Sequence, residues 1–340
     1  MAQLRADKSR IVAVRSVRTG KYVVRNFNDM SKVQQKCVTL LGAGTQGARL
    51  AYMWSRCGSP VNLIDKSQKQ LELAGKKVLA LREEGSVLGL LGGQWGDVTP
   101  ATSEKLKHAI WESWLVIECV PESLSLKRAV AEELDQLAGP ETIIASNSSS
   151  YTITEILEGL KTKYPDRLLS LHSCKSLLPP AQSKPKPQPD KDVTDWPPET
   201  SAIEIMGSGN TRPDIISLLK RKTGAHGFEP FHVQKPSMGY IYNRIWAAIK
   251  REALFALDEG VASPQEIDGI FKAVLKTPKG PCEQMDVVGL DVVLDIENHY
   301  ADVRPGLPEE PRKYLQQMIA QGRLGVKTGS GFFEYGNTKK

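Results

Sequence analysis

A histidine and a glutamate in two neighbouring strand-like runs are the residue types in this chain best suited to acid–base chemistry. His172 follows the short apolar run 168–171, and Glu204 lies among apolar residues in 202–206. A carboxylate in apolar surroundings needs a partner, so the two side chains would explain one another. Imidazole titrates near neutral pH and can take or give a proton there. The alternative for His172 is a core histidine with a satisfied hydrogen bond.

Polar groups also follow two earlier apolar runs. The run 114–117 leads into Glu118 and then Glu122, and the run 142–145 leads into Ser-Asn-Ser-Ser-Ser at 146–150. Ligands bind outside the carboxyl ends of parallel strands, so we expect these groups at a binding edge. The alternative for the serine-rich segment is a cap for a helix that begins near residue 153.

A glycine-rich turn precedes both segments. The apolar run 38–41 is followed by Gly-Ala-Gly-Thr-Gln-Gly at 42–47, which predicts a strand, a turn and a helix. Gly42 permits a tight turn, Gly44 lets the backbone approach a ligand, and Gly47 lets the helix pack against the strand. N–H groups at the helix start would face a pyrophosphate. A purely packing role is the alternative.

Asp65 favours the nucleotide interpretation of that turn. It ends the next apolar run, 61–64, where a second strand would deliver an acid to an adenosine ribose. A carboxylate there accepts the ribose hydroxyls and repels a 2′-phosphate, which favours NAD over NADP.

The order of elements predicts an α/β fold, a Rossmann-type doubly wound parallel sheet followed by an all-α C-terminal domain. Helices are expected to about residue 56 and over 67–84, with a loop over 85–100. Beyond about residue 235, Tyr242, Trp246, Ile249, Ala253 and Leu257 recur at helical spacing. The predicted division is a basic extension over 1–36, a nucleotide-binding domain over 37–235 with a proline-rich insert at 177–200, and a helical domain over 236–340.

Length and composition fit a two-domain globular protein, at 340 residues. No apolar run is long enough to cross a membrane, and the start lacks the apolar core of a secretory signal. We therefore expect an intracellular, cytoplasmic protein, with mitochondria and peroxisomes left open. The five cysteines are scattered without a C-x-x-C pair, which predicts reduced thiols and no metal site.

The basic character of the chain belongs to its first 36 residues. They hold nine Lys or Arg against two Asp, a charge of +7, so the remainder carries −1 of the net +6. The β-like runs 11–14 and 22–24 suggest an added hairpin and argue against a transit peptide. A solvated basic extension is favoured over a nucleic-acid-binding arm, so no nucleic-acid partner is predicted.

Several motifs together resemble one family. The glycine turn, Glu-x-x-Pro-Glu-x-x-x-x-Lys at 118–127, the serine-rich segment and Leu171-His172 are similar to the nucleotide domain of the L-3-hydroxyacyl-CoA dehydrogenase family, which includes a lambda-crystallin (L-gulonate 3-dehydrogenase) branch. Residues 278–291 and 325–332 resemble two later elements of that family. The resemblance covers 37–335 apart from the insert.

The resemblance implies roles for individual residues. His172 would take the proton from the substrate hydroxyl, Glu204 would orient it, and Ser149 with Asn243 would bind the reacting oxygen while hydride passes to NAD. A homodimer built on the helical domain is implied by the same resemblance. The residues expected to bind the cofactor are Gly42, Gly44, Thr45, Gln46, Gly47, Asp65, Glu122, Lys127 and Asn147.

The chain departs from the family directly after His172. The family usually has an aromatic or apolar pair and then Asn-Pro, whereas this chain has Ser-Cys-Lys-Ser at 173–176. Lys175 could pair with a substrate carboxylate or simply face solvent. The insert reads as an extended loop, either a lid or substrate-length selector or a tolerated surface insertion.

The resulting functional prediction is an NAD-dependent dehydrogenase of a secondary hydroxyl β to a carboxyl or thioester, as in fatty acid metabolism. Its partner would be a small hydroxyacyl or hydroxy acid substrate. One alternative keeps the chemistry and changes the substrate to a free hydroxy acid or a specialised-metabolism intermediate. The other is a non-catalytic NAD-binding structural protein.

Overall fold

The computed structural model describes residues 36–87, 94–174 and 201–336, together with the short strands Ala13–Arg15 and Tyr22–Val24. These two strands pair antiparallel, in agreement with the hairpin predicted for the basic extension. Lys175 and the insert 177–200 lie outside the described residues, so their roles stay predictions.

The secondary structure alternates strands and helices up to residue 233 and is helical afterwards. The strands are β1 (Ala13–Arg15), β2 (Tyr22–Val24), β3 (Cys37–Leu41), β4 (Val61–Asp65), β5 (Val98–Thr102), β6 (Ser113–Glu118), β7 (Ile143–Ser146), β8 (Leu168–Ser173), β9 (Ala202–Gly207) and β10 (Glu229–Val233). The helices are α1 (Thr45–Trp54), α2 (Gln68–Val87), α3 (Leu106–Trp111), α4 (Leu124–Leu137), α5 (Ile153–Leu157), α6 (Pro213–Ala225), α7 (Tyr242–Asp258), α8 (Pro264–Leu275), α9 (Pro281–Val288), α10 (Leu290–Val303) and α11 (Glu310–Ala320).

Strands β3 to β10 form one sheet in the order β10-β9-β8-β7-β6-β3-β4-β5. Neighbours are parallel from β5 to β8, as predicted for a Rossmann-type fold. The sheet departs from parallel pairing at one step, where β9 runs antiparallel to β8. Residues directly opposite each other on an antiparallel pair point to the same face, and His172 is opposite Glu204.

Helices cover both faces of the sheet, which explains its continuous apolar strands. Successive residues of one strand enter different cores: Leu40 and Leu115 pack in one cluster, while Leu41 and Val116 pack in the other. Both clusters hold these side chains out of water. The sheet is therefore doubly wound, and its carboxyl edge remains the place where side chains from several strands converge.

The predicted loop over 85–100 is wrong at both ends. Helix α2 continues to Val87, and β5 adds an edge strand parallel to β4. Pro100 lies in β5, which is possible because an edge strand does not need every N–H for the ladder.

The C-terminal helices bury their own core around Leu254, Met285 and Leu290. The expected apolar stripe of α7 is wrong at its start, since Tyr242 is 41% exposed. The buried face of α7 instead includes Arg251, whose guanidinium pairs with Glu297 of α10 at 2.8 Å. Within the described ranges, no helix combines the length and apolar character required to cross a bilayer.

The buried Arg251–Glu297 pair provides a stability test. Arg251→Met would leave Glu297 as a charge that is 2% exposed and has lost its ion pair, so we expect a loss of about 3–5 kcal/mol in the free energy of unfolding. Urea denaturation followed by tryptophan fluorescence measures it.

Lys313→Met is the matched control, because Lys313 and Glu309 form a solvent-exposed pair on one helix turn. We expect no measurable change there. Equal stability of the two variants would contradict the assignment of the buried pair.

Candidate active site

The glycine turn between β3 and α1 has the geometry of a cofactor cradle. A Cβ on Gly42 would lie 2.6 Å from the Cys119 carbonyl oxygen, and one on Gly47 would lie 1.8 Å from the Gly42 oxygen, whereas a Cβ on Gly44 would meet nothing within 4 Å. Backbone packing therefore requires the first and third glycines, and the middle glycine borders open space. Helix α1 begins there without a side-chain cap, so its first N–H groups can bind an anion.

Asp65 stands beside this cradle, at the end of β4. Its carboxylate accepts hydrogen bonds from the N–H groups of Ala43, at 2.8 Å, and Ser67, at 2.9 Å. These bonds fix the orientation of a partly exposed carboxylate next to the glycine turn. Its remaining lone pairs are suited to the hydroxyls of a ribose.

His172 and Glu204 form a buried pair, with Nδ1 3.0 Å from Oε2. The other Glu204 oxygen accepts hydrogen bonds from two backbone N–H groups at the start of α7, those of Ile241 at 2.8 Å and Tyr242 at 3.0 Å. Burial opposes ionisation of Glu204, but the hydrogen bonds from His172 and from these N–H groups outweigh it and lower its pKa. An ionised Glu204 favours the tautomer with the proton on Nδ1, which leaves Nε2 free to act as a base.

Tyr240 is a site residue that the sequence reasoning missed. Its ring stacks on the His172 imidazole with centroids 4.6 Å apart, and its hydroxyl donates to the Ser148 carbonyl at 2.7 Å. Burial raises the pKa of Tyr240, so the phenol keeps its proton. The turn that delivers it has left-handed backbone at Gly239 and Tyr240, and the glycine was the available signal.

Glu122 gathers the donors of the serine-rich turn. Its carboxylate accepts hydrogen bonds from Ser148 Oγ at 2.8 Å, from the Ser149 N–H at 2.7 Å and from Ser149 Oγ at 3.0 Å. Burial opposes its ionisation, but Lys127 and the bonds from Ser149 and Ser148 outweigh this and lower the pKa of Glu122.

Lys127 lies beneath this carboxylate. Its side chain is 1% exposed, and its ammonium contacts Glu118 at 3.1 Å and Glu122 at 3.5 Å. This geometry places Lys127 behind Glu122, so it acts on the site by holding that carboxylate ionised.

Ser173 connects three parts of the site. Its Oγ lies 2.8 Å from Asn147 Oδ1 and 3.1 Å from Gln46 Oε1. Gln46 belongs to the first turn of α1, next to Thr45, so the residue after His172 joins the glycine turn to the serine-rich turn. Ser173 was missed as a site residue, although its position directly after His172 was a signal.

Asn243 directly follows Tyr242, whose N–H donates a hydrogen bond to Glu204. Its side chain is half-buried and has no hydrogen-bond partner among the described residues. The structure thus brings the start of α7 to the histidine pair, while the contact of Asn243 with a substrate stays a prediction.

Cys174 adds a thiol to the histidine pair. Its Sγ lies 3.6 Å from Glu204 Oε2, and burial raises the pKa of Cys174 to about 12. Ligand atoms of Cys174, His172 and Glu204 lie within 4.8 Å of one another, close enough to hold a metal ion. Sequence spacing gave no sign of this group because its members come from two strands.

A glycine turn at a helix start, an acid at the end of the next strand and a histidine bonded to a carboxylate are the features expected of an NAD-dependent dehydrogenase. The family models agree. Residues 37–177 match the NAD binding domain of 3-hydroxyacyl-CoA dehydrogenase, and residues 239–335 match its C-terminal domain. The chain belongs to the 3-hydroxyacyl-CoA dehydrogenase family, which confirms the resemblance and NAD as cofactor.

Individual relatives are similar along most of their length. The 3-hydroxybutyryl-CoA dehydrogenase of Clostridioides difficile is 28% identical over 88% of this chain and 99% of its own. The structure of (S)-3-hydroxybutyryl-CoA dehydrogenase from Ralstonia eutropha has a TM-score of 0.72 at 25% identity, covering 89% of this chain and 99% of that one. A diketoreductase that acts on dicarbonyl compounds has a TM-score of 0.66 at 28% identity, covering 88% of this chain and 99% of that one.

Two glycine substitutions separate packing from cofactor binding. Gly47→Ala places a Cβ against the Gly42 carbonyl, so we expect a loss of about 1–3 kcal/mol in the free energy of unfolding. Gly44→Ala has room for its Cβ, so stability should hold while NADH affinity falls. Thermal unfolding and NADH fluorescence titration measure the two effects. Gly44→Ala with unchanged NADH affinity would contradict the cradle.

Proposed function

We propose that this NAD-dependent dehydrogenase uses His172 as the base that takes the proton from a substrate hydroxyl. The observation that carries the proposal is the buried His172–Glu204 pair, with 3.0 Å between Nδ1 and Oε2. A general base of this kind contributes about 10²–10⁴ to the rate. In the reverse direction His172 Nε2 returns the proton to the substrate oxygen.

Glu204 orients the ring and stabilises its positive charge. The carboxylate is 2% exposed, so its attraction to the imidazolium formed on proton uptake is weakly screened. Its second oxygen is held by the start of α7, which prevents it from turning away from His172. When bound, NAD accepts the hydride from the carbinol carbon.

The cofactor would lie along the carboxyl edge of the sheet. We assign its pyrophosphate to the N–H groups from Gly44 to Gly47, including those of Thr45 and Gln46, and its adenosine ribose to Asp65. Glu122, supported by Lys127, would meet the second ribose. Asn147 would hold Ser173, at the end of β8, in place for the nicotinamide side.

Ser149 and Asn243 would bind the reacting oxygen. They come from two separate segments, Ser149 from the turn after β7 and Asn243 from the start of α7. A hydroxyl and an amide can both donate to an oxygen on which charge develops, and fixed donors cost little reorganisation. This assignment is supported by the way each segment is held. Glu122 binds the Ser149 N–H, and Glu204 binds the Tyr242 N–H next to Asn243.

The substrate class that we favour is an L-3-hydroxyacyl-CoA, which would place the protein in fatty acid metabolism. The names of the hydroxybutyryl-CoA dehydrogenases support a thioester. A free hydroxy acid or a specialised-metabolism intermediate is the second candidate. Ser173 and Cys174 depart from the family, and a diketoreductase has the same 28% identity to this chain as the 3-hydroxybutyryl-CoA dehydrogenase of Clostridioides difficile. A purely structural NAD-binding role is less favoured, since the histidine pair is assembled.

His172→Asn tests the base directly. We expect kcat for L-3-hydroxybutyryl-CoA to fall about 10²–10⁴-fold with NADH affinity unchanged, because the base acts in the chemical step. Glu204→Gln should lower kcat less, since imidazole remains. Assays with short free hydroxy acids in parallel decide between the two substrate classes. Undiminished turnover by His172→Asn would refute the assignment.

We also propose a homodimer through the helical domain. Ile270 and Val274, four residues apart on α8, are 62% and 69% exposed, and Val287 of α9 is 53% exposed. Exposed apolar residues at helical spacing are suited to an interface. The family resemblance supports the same assembly.

Charge on this helix face should separate the subunits. Ile270→Asp with Val274→Asp would bury carboxylates without partners in an interface, so we expect a monomer in light scattering coupled to gel filtration. The control is Leu79→Asp, a 59% exposed residue of α2 in the other domain, which should leave the dimer intact. A wild-type monomer, or a dimer in the double variant, would overturn the proposal.

A further inference from the structure

The hydroxyl proposed to hold the substrate oxygen already has its proton committed elsewhere. Ser149 Oγ lies 3.0 Å from Glu122 Oε1, and the Ser149 N–H is bound to the same oxygen at 2.7 Å. A carboxylate is a stronger acceptor than a neutral oxygen, so the single hydroxyl proton of Ser149 is donated to Glu122. In this arrangement Ser149 offers lone pairs to a ligand and no proton.

That arrangement does not suit the reaction. A ketone or developing alkoxide needs a donor, and the substrate's own hydroxyl proton must go to His172. Ser149 can serve as the donor after Glu122 has accepted a different hydrogen. The competing donor must be a group that approaches Glu122 when the site fills.

Glu122 is built to accept such a replacement. Its side chain is 40% exposed, unlike its buried partner Lys127, so part of the Glu122 side chain is open to an incoming group. Lys127 and Ser148 hold the other oxygen, at 3.5 and 2.8 Å. The carboxylate therefore stays ionised and fixed in position while its Oε1 partner is exchanged.

We propose that Glu122 is a positioning residue that withholds the Ser149 proton until a ribose hydroxyl of NAD takes its place on the carboxylate. Before NAD binds, Ser149 can only accept a hydrogen bond from a substrate. After NAD binds, its hydroxyl proton is free to be donated to the substrate oxygen. No bond other than hydrogen bonds changes. The inference rests on the proposed cofactor contact of Glu122 and the oxygen-binding role of Ser149.

The competition predicts an unusual direction of effect. If the Ser149 hydroxyl and the ribose compete for Glu122, removing the hydroxyl with Ser149→Ala should tighten NADH binding by about two- to tenfold, the net effect of one ordinary hydrogen bond. A Ser149 hydroxyl that supported cofactor binding would instead give weaker NADH binding when it is removed. The titration needs no substrate, so its result is independent of whether the enzyme turns over any hydroxyacyl compound.

A double-mutant cycle completes the test. NADH affinity is measured by fluorescence titration for wild type, Ser149→Ala, Glu122→Gln and the double variant. We expect the gain from Ser149→Ala to shrink to less than about twofold in the Glu122→Gln background. If Glu122→Gln binds NADH too weakly, Glu122→Asp replaces it, because the shorter side chain keeps the charge and withdraws it from Ser149.

Ser150→Ala is the matched control. Ser150 is the next residue of the turn, and it should leave NADH affinity unchanged in every background. Unchanged or weaker binding by Ser149→Ala would overturn the proposal. An equal gain with and without Glu122 would overturn it as well, since the competition would not run through that carboxylate.

Discussion

The Glu204 carboxylate is the interaction on which the rest of the site depends. One oxygen holds His172 and the other holds the first N–H groups of α7, so a single buried group joins the sheet to the helical domain. An unpaired carboxylate at this depth would be costly, and each partner removes part of that cost. The same contacts that stabilise the domain junction therefore orient the His172 imidazole.

The reversal of strand direction between β8 and β9 makes this possible. Two parallel strands would carry His172 and Glu204 in a slanted register, whereas the antiparallel pair sets them directly opposite. Tyr240 then covers the imidazole from the linker and is itself fixed to the serine-rich turn. Three chain segments far apart in sequence thus determine one ring orientation.

Sequence patterns predicted the parts of this protein that rest on local chemistry. The glycine turn, Asp65, the serine-rich turn and the pairing of His172 with Glu204 all follow from residue types at strand ends. Ser263 and Glu266, three residues apart at the start of α8, likewise form a capping box through local chemistry alone. Each of these signals is contained within a few residues, or in two runs whose isolated polar groups need each other.

Long-range contacts gave no such signal. Arg251 interrupts an apolar pattern and is buried because Glu297 lies on another helix, and β5 was hidden by Pro100 in an edge strand. The antiparallel step at β9 depends on the whole chain path. In the sequence, nothing distinguishes Tyr240 from the other aromatic residues. Its contact with His172 depends on the left-handed backbone of Tyr240.

We propose above all that Glu204 fixes the His172 proton on Nδ1 and leaves Nε2 to act as the base. Nitrogen-15 NMR of histidine-labelled enzyme, assigned with a His172 variant and recorded at a pH where the ring is neutral, reads the tautomer directly. We predict a protonated Nδ1 and an unprotonated Nε2 in the wild type, with loss of this preference in Glu204→Gln. A His172 ring with its proton on Nε2 in the wild type would contradict this role of Glu204.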